Sequence, residues 1–204
     1  MLGKSQWQSS REMKMNRLII IGASGHGKVV ADIARLNGYK GIVFLDDDES
    51  KKECAGFPVI GKTDNAPDGD IFIAIGNNEI RSKIAHYYSD RNQPILIHPS
   101  AIVADGTKIG CGTVIMAGAV INPGTAIGSG CIINTCSSID HDCLVKDFVH
   151  VSVGSHICGT VIVGEKTWIG AGTIISNNVS ICEKCMIGAG STVLNDISIS
   201  GTYV

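Results

Sequence analysis

From Ala101 to Thr202 an Ile or Val returns at every sixth residue without a gap: Val103, Ile109, Ile115, Ile121, Ile127, Ile133, Ile139, Val145, Val151, Ile157, Val163, Ile169, Ile175, Ile181, Ile187, Val193 and Ile199. Four residues after each, the side chain is again small or β-branched, as at Thr107, Thr113, Ala119, Thr125, Cys131, Ser137 and Cys143, onward to Ile197. A period of six is neither the 3.6 of an amphipathic helix nor the 2 of a half-buried strand. It marks a stacked repeat. The pattern predicts a parallel β-helix in which three hexads complete a triangular turn and each flat face points one aliphatic side chain inward. Ile and Val suit such faces because they lose little rotamer freedom on a pleated surface. Glycines near the corners (Gly110, Gly112, Gly118, Gly124, Gly128, Gly130, Gly170, Gly172, Gly188 and Gly190) are read as allowing backbone angles that side chains forbid. Seventeen inward positions predict a little under six turns.

From Arg17, about 80 residues precede the repeat, and they alternate strands with helices, the signature of a small parallel α/β domain. Arg17–Ile21 is an apolar run ending in Gly22-Ala23-Ser24-Gly25-His26-Gly27, followed by a helical pattern through Val29, Val30, Ile33, Ala34 and Leu36 to a stop at Gly38. A second strand, Ile42–Leu45, runs into Asp46-Asp47-Asp48. A third, Asp70–Ile75, is followed by Gly76-Asn77-Asn78 and a helix over Glu79–Tyr88, and Ile95–Ile97 reads as a last strand. The expected division is a leader over 1–16, the α/β domain over 17–98 and the β-helix over 99–204. The free N–H groups of a glycine turn that opens a helix, together with the helix dipole, hold an anion such as a phosphate. Acidic residues at the end of the next strand lie where such folds meet a ribose or base. The pattern is G-x-x-G-x-G, not the dinucleotide fingerprint, and the domain is half the size of a full dinucleotide fold. A mononucleotide or nucleotide-sugar suits it better.

A formal charge of −2, with 4 Phe, 4 Tyr and 2 Trp, leaves neither a basic nucleic-acid footprint nor a stacking platform. No apolar run reaches membrane-spanning length. Residues 1–16 lack an apolar secretory core and read as a disordered extension, with Met13 and Met15 as candidate starts. Of the eight cysteines, Cys131, Cys143 and Cys185 fall in the small inward slot of the repeat. Cys182 and Cys185 make a lone C-x-x-C, read as structural, and the expected compartment is a reducing cytoplasm.

Polar residues that interrupt the repeat gather in Asn134-Thr135, Asp140-His141-Asp142, His150 and His156. A histidine between two carboxylates suits general-base work, because the carboxylates favour the imidazolium and so strengthen the neutral ring as a base. A polar corner without chemistry is the alternative. His150 follows His141 by nine residues, half a turn, so the two cannot stack within one subunit, although such offsets can meet across a three-fold interface. His156 reads as a surface histidine, and His86 and His98 as structural. A zinc site of the type used by β-helix carbonic anhydrases needs two histidines about five residues apart and a third about two turns earlier. His150 and His156 are six apart and no histidine lies between His98 and His141, so no metal is expected.

The Ile-Gly pairs at 109–110, 127–128, 169–170 and 187–188 resemble the left-handed β-helix hexapeptide acyltransferases. More narrowly, the 22–27 glycine turn, Phe44-Leu-Asp-Asp47, the stretch from Phe72 to Arg81, Asn134-Thr135, Ile139-Asp-His-Asp142 and His150-Val-Ser-Val-Gly154 resemble the bacterial UDP-4-amino-sugar N-acetyltransferases of the bacillosamine type. The resemblance runs from Arg17 to the end. It implies a left-handed β-helix, a homotrimer, acetyl-CoA as co-substrate and a UDP-amino-sugar acceptor. It further implies His141 as catalytic base and Asp142 as the neighbour that raises its basicity. His150, Ala171 and Ala189 match acetyl-CoA contacts, with Gly159 offering a backbone N–H. Ser24, Gly25, His26, Asp46, Asp47 and Gly76 match the nucleotide-sugar site, and Asn134 helps to place the sugar. Two departures are visible: Asp stands at 142 where Glu is usual, and the chain stops at Tyr203-Val204 where relatives continue. An O-acetyltransferase of sialic acid, and a non-catalytic scaffold or nucleotide-sugar-binding protein, are the competing readings.

Overall fold

The computed structural model describes residues 17–204; the leader expected over 1–16 lies outside the described residues. The chain opens with β1 (Arg17–Ile21), α1 (Gly25–Leu36) and β2 (Gly41–Leu45). A hairpin of β3 (Glu53–Cys54) and β4 (Phe57–Pro58) follows, then β5 (Asp70–Ile73) and α2 (Asn78–Tyr87). β1 pairs in parallel with β2 and β5, giving the order β2-β1-β5. β1 reads as a continuous apolar run because both its faces are covered. Leu18 and Ile20 pack with Val30, Ile33 and Ala34 of α1, while Ile19 and Ile21 pack on the other face with Ala85 of α2 and Tyr88.

From Leu96 onward, eighteen two-residue strands fall into three parallel sheets of six, five and seven, the triangular β-helix that the period of six predicts. On the first face the outward residues Leu96, Val114, Ile132, His150, Trp168 and Met186 stack in register. The second carries Ile102, Val120, Ser138, His156, Ile174 and Thr192. The third carries Lys108, Ala126, Leu144, Ile162 and Ser180. The inward aliphatics form one continuous core from Ile115 to Val193. Each fully buried Ile or Val contributes about 1.5–3 kcal/mol.

The small inward slot also serves the backbone. Thr113 donates to Gly128 O at 2.8 Å and accepts from Cys131 N at 3.0 Å, so a buried hydroxyl links two coils without an orphan group. Cys131, Cys143 and Cys185 are buried in this slot, and all eight cysteines are free thiols.

Three expectations are corrected. The strand near 95–97 is Leu96–Ile97, and it pairs with Val114–Ile115 of the β-helix, not with the small sheet. Ile199 is 73% exposed, because the connection after Val193 is two residues short. Ile181 therefore bridges Ile197 and Ile187 pairs with Tyr203, sixteen residues on instead of eighteen, and Asp196 Oδ1 accepts from Ser180 N at 2.8 Å at that shortened corner. The corner glycines divide into two kinds. Gly124 (φ +79°) takes the left-handed turn that non-glycine residues such as Asp142 (φ +57°) take elsewhere. Gly110 has no such angle; a Cβ there would collide with the backbone of Gly128 and Ser129 in the next coil.

The α/β domain sits on the first face. Val114, Met116 and Ile132, outward from the solenoid, are buried in one cluster with Leu18, Ile20 and α1. No described helix is long and apolar enough to cross a membrane.

Candidate active site

His141 lies at the corner between the second and third faces, just after the strand Ser138–Ile139. Asp140 Oδ1 accepts from Asn122 Nδ2 of the preceding coil at 2.7 Å and from His141 N at 2.8 Å, which fixes the approach to the turn. The left-handed backbone at Asp142 swings its carboxylate to His141 Nδ1 at 2.9 Å, so the shorter Asp reaches the ring. An ionised carboxylate only accepts, so Nδ1 carries the proton and the neutral ring keeps its lone pair on Nε2. The hydrogen bond that His141 donates to Asp142, and then the charge of Asp140, raise the His141 pKa above the ordinary histidine value. With 54% of its side chain exposed, the ring is open to a reactant.

Gly159, one coil later, lies against that ring: a Cβ there would stand 2.6 Å from His141 Nε2. Gly159→Ala is therefore expected to push the imidazole off Asp142 and lower its pKa toward the ordinary value. An NMR titration of His141 reads this, with unfolding free energy changed by about 0.5 kcal/mol or less. A titration identical to wild type would refute the contact.

A second group forms where the α/β domain meets the first face. His150 stacks on Trp168 of the next coil (centroids 4.8 Å apart, planes 28°), and Asn134 Nδ2 lies 3.2 Å from its Nε2. His150 Nδ1 and His26 Nε2 are both buried without a hydrogen-bond partner. Burial, then the Arg81 cation, lowers the His26 pKa to about 4. Burial, then Arg81 and His26, lowers that of His150 to about 3. Both rings are neutral at physiological pH and present unused polar atoms inside the interface.

The remaining candidates rim the α/β domain. Ser24 precedes α1 and makes no side-chain cap bond, which leaves the first N–H groups of the helix open. A Cβ at Gly25 or Gly76 would meet nothing within 4 Å, so both stand open, whereas one at Gly27 would strike Gly22 O. Asp46 accepts from Ala23 N at 2.7 Å and pairs with Lys51 at 3.0 Å. Burial opposes its charge, but hydrogen bonds from Asp48 N, Lys51 and Ala23 N outweigh that and hold its pKa below the usual range. Asp47 is engaged by Thr63 N at 3.0 Å and Thr63 Oγ1 at 2.9 Å. Both carboxylates thus brace the rim. A cleft of about 300 Å³ opens beside Asp46, lined by Lys51, Lys52, Val59 and Lys62 among others.

Ala171 and Ala189 stack one coil apart at the corner that ends the first face, where Gly190 N donates to Ala171 O at 2.8 Å; both are exposed. His150 and Asn134 therefore join His26, while the alanines lie at the next corner and His141 one face further on. Within one chain these three groups do not converge.

Sequence reasoning assigned no role to Trp168, Asn78 or Arg81. Trp168 had a readable signal, a tryptophan eighteen residues after His150 at an outward position of an aliphatic repeat. Arg81, on a helix with no carboxylate partner in view, had none.

The PglD N-terminal domain family matches residues 17–88, and the bacterial transferase hexapeptide (six repeats) family matches residues 106–141 and 160–195. UDP-N-acetylbacillosamine N-acetyltransferase of Bacillus subtilis is 36% identical over 113 residues, covering 50% of this chain, so the match spans about half (52%) of that relative's length. The acetyltransferase domain of PglB from Neisseria gonorrhoeae, solved with acetyl coenzyme A, is 41% identical with a TM-score of 0.86, covering 90% of this chain and 93% of that one. A histidine-to-asparagine variant of perosamine N-acetyltransferase from Caulobacter crescentus, solved with CoA and GDP-perosamine, is 32% identical with a TM-score of 0.85, covering 91% and 90%. With both halves of the chain matched and solved relatives aligned along nearly their whole length, the chain belongs to the PglD-type sugar N-acetyltransferases built on a hexapeptide β-helix.

Proposed function

We propose that this chain transfers acetyl from acetyl-CoA to the 4-amino group of a UDP-4-amino-4,6-dideoxy sugar, with His141 as the general base. The observation that carries the reading is the His141–Asp142 pair, whose geometry leaves Nε2 unprotonated and exposed. His141 Nε2 takes a proton from the amine as its nitrogen attacks the thioester carbonyl. The C–N bond forms, the C–S bond breaks, and the proton passes on to the departing CoA thiolate. The Gly159 N–H, beneath the ring, steadies the oxyanion. Ala171 and Ala189 offer a side-chain-poor corner along which the pantetheine of the coenzyme runs. The open N–H groups before α1, with Gly25 and Gly76, hold the diphosphate, and His26, His150 and Asn134 face the sugar.

Since His141 is remote from the α/β rim of its own chain, the working unit is a homotrimer in which one protomer's corner completes another's rim. The exposed Leu144 and Ile162 on the third face and Ile174 on the second flank that corner, an apolar strip suited to a second copy.

The Caulobacter relative was solved with a GDP-linked sugar, which favours one second reading, a GDP-amino-sugar acceptor. Consumption of acetyl-CoA with UDP-4-amino-4,6-dideoxy-N-acetylglucosamine, GDP-perosamine and sialic acid as parallel acceptors tests all of this. Rapid turnover with the UDP sugar alone is expected. Preference for GDP-perosamine would move the nucleotide assignment, turnover with sialic acid would replace N- by O-acetylation, and silence with all three would defeat the enzyme reading.

A further inference from the structure

Arg81, on α2, is 1% exposed, and among the described residues no carboxylate pairs with it. A buried cation without a counter-ion is costly unless every donor finds an acceptor. Here each does. Nε donates to Gly130 O at 2.7 Å, one terminal nitrogen to Ile75 O at 2.9 Å and Gly76 O at 3.0 Å, and the other to Asn78 Oδ1 and Phe148 O, both at 2.8 Å. Asn78 in turn donates to Lys166 O at 2.9 Å.

Gly130, Phe148 and Lys166 occupy the same corner of the β-helix in three successive coils, each with left-handed backbone (φ +62°, +57° and +58°). Arg81 and Asn78 therefore engage three stacked carbonyls of one corner. Glu79 of the same helix adds an ion pair to Lys166 at 3.6 Å. The other arm of the guanidinium holds two carbonyls of the turn that follows β5, those of Ile75 and Gly76. The clasp thus couples the corner of the solenoid to the turn that carries Gly76.

We propose that Arg81 is a positioning residue: keyed directly to two coils of the β-helix and through Asn78 to a third, it holds the Gly76 turn of the nucleotide-sugar site in register with His150 and Asn134. The inference rests on the reading of the α/β rim as the nucleotide-sugar site. Its consequence is that acceptor binding depends on a residue that touches no substrate. Lysine cannot replace it, because an ammonium has three donors and no fixed fork, so at least two of the five acceptors would be left open.

The test is Arg81→Lys in the full chain, with wild type alongside. The KM for the nucleotide sugar is expected to rise roughly tenfold or more, and UDP binding by calorimetry to weaken in parallel. The KM for acetyl-CoA stays within about twofold, since Ala171 and Ala189 lie outside the clasp. Hydrogen exchange in the peptide covering residues 74–82 accelerates, while the peptide covering 150–169 keeps its protection. An unchanged nucleotide KM, or an equal rise in both KM values, would overturn the positioning role and leave only a stabilising one. Should Arg81→Lys fail to fold, Asn78→Ser removes the bond to Lys166 O and keeps the four backbone bonds of Arg81. Its expected effect is a rise of about threefold in the nucleotide KM alone, and no rise overturns the proposal. A wild type that neither turns over nor binds UDP defeats the nucleotide-sugar reading instead, and the exchange measurement still reports on the clasp.

Discussion

Replacing His141 with alanine is expected to lower kcat about 10²- to 10⁴-fold while both KM values stay within a few-fold. The ring stands half-exposed at a corner, outside the inward core, so its loss leaves the solenoid intact. What is lost is an acceptor for the amine proton, which matters only as the C–N bond forms. Asp142→Asn separates the base from its tuning. Asp142 raises the His141 pKa, so removing the carboxylate lowers it, and the neutral, competent ring then persists to lower pH. The acid limb of kcat/KM should move to lower pH, and the plateau should fall because a weaker base takes the proton less readily. Near-normal turnover in His141→Ala, or an acid limb that stays in place in Asp142→Asn, would remove the pair from the chemistry.

Ile169→Ala is expected to destabilise the chain by about 2–5 kcal/mol in urea unfolding. Ile169 is fully buried, pairs with Val151 and Ile187 in the coils on either side, and lies inside the continuous core. Its truncation leaves a void between two coils that are fixed by backbone hydrogen bonds and close poorly around it. Ile199→Ala is the control. In the repeat the two isoleucines are equivalent positions, yet Ile199 stands in solvent and its truncation should change stability by about 0.5 kcal/mol or less. Equal losses at both sites would contradict the shortened final corner.

The His141–Asp142 pair was legible in the sequence because its parts are adjacent: two neighbouring residues at one corner of a repeat are sufficient. The glycine turn was legible for the same reason, as strand, turn and helix follow one another in the chain. The meeting of His150 with His26 was not. His150 fell at an outward position like any other, yet in the fold it is buried, with its ring on Trp168 and within charge reach of Arg81 and His26. The resemblance assigns His150 to the coenzyme together with Ala171 and Ala189; in the fold the charges that reach it are those of Arg81 and His26 in the α/β domain.

By itself the sequence determined the triangular solenoid, its inward and outward residues from Ile115 to Val193, and the strand-turn-helix start, since each depends on spacings of six residues or on immediate neighbours. Tertiary structure alone decided where the small domain sits, which coil slips by two residues, and what satisfies Arg81. The bonds from α2 to the β-helix corner join residues 49, 67 and 88 positions apart, and no local period encodes a pairing at those distances. They form because a buried guanidinium and a buried amide must find acceptors, and the nearest carbonyls without a ladder partner are those that the left-handed corners turn outward.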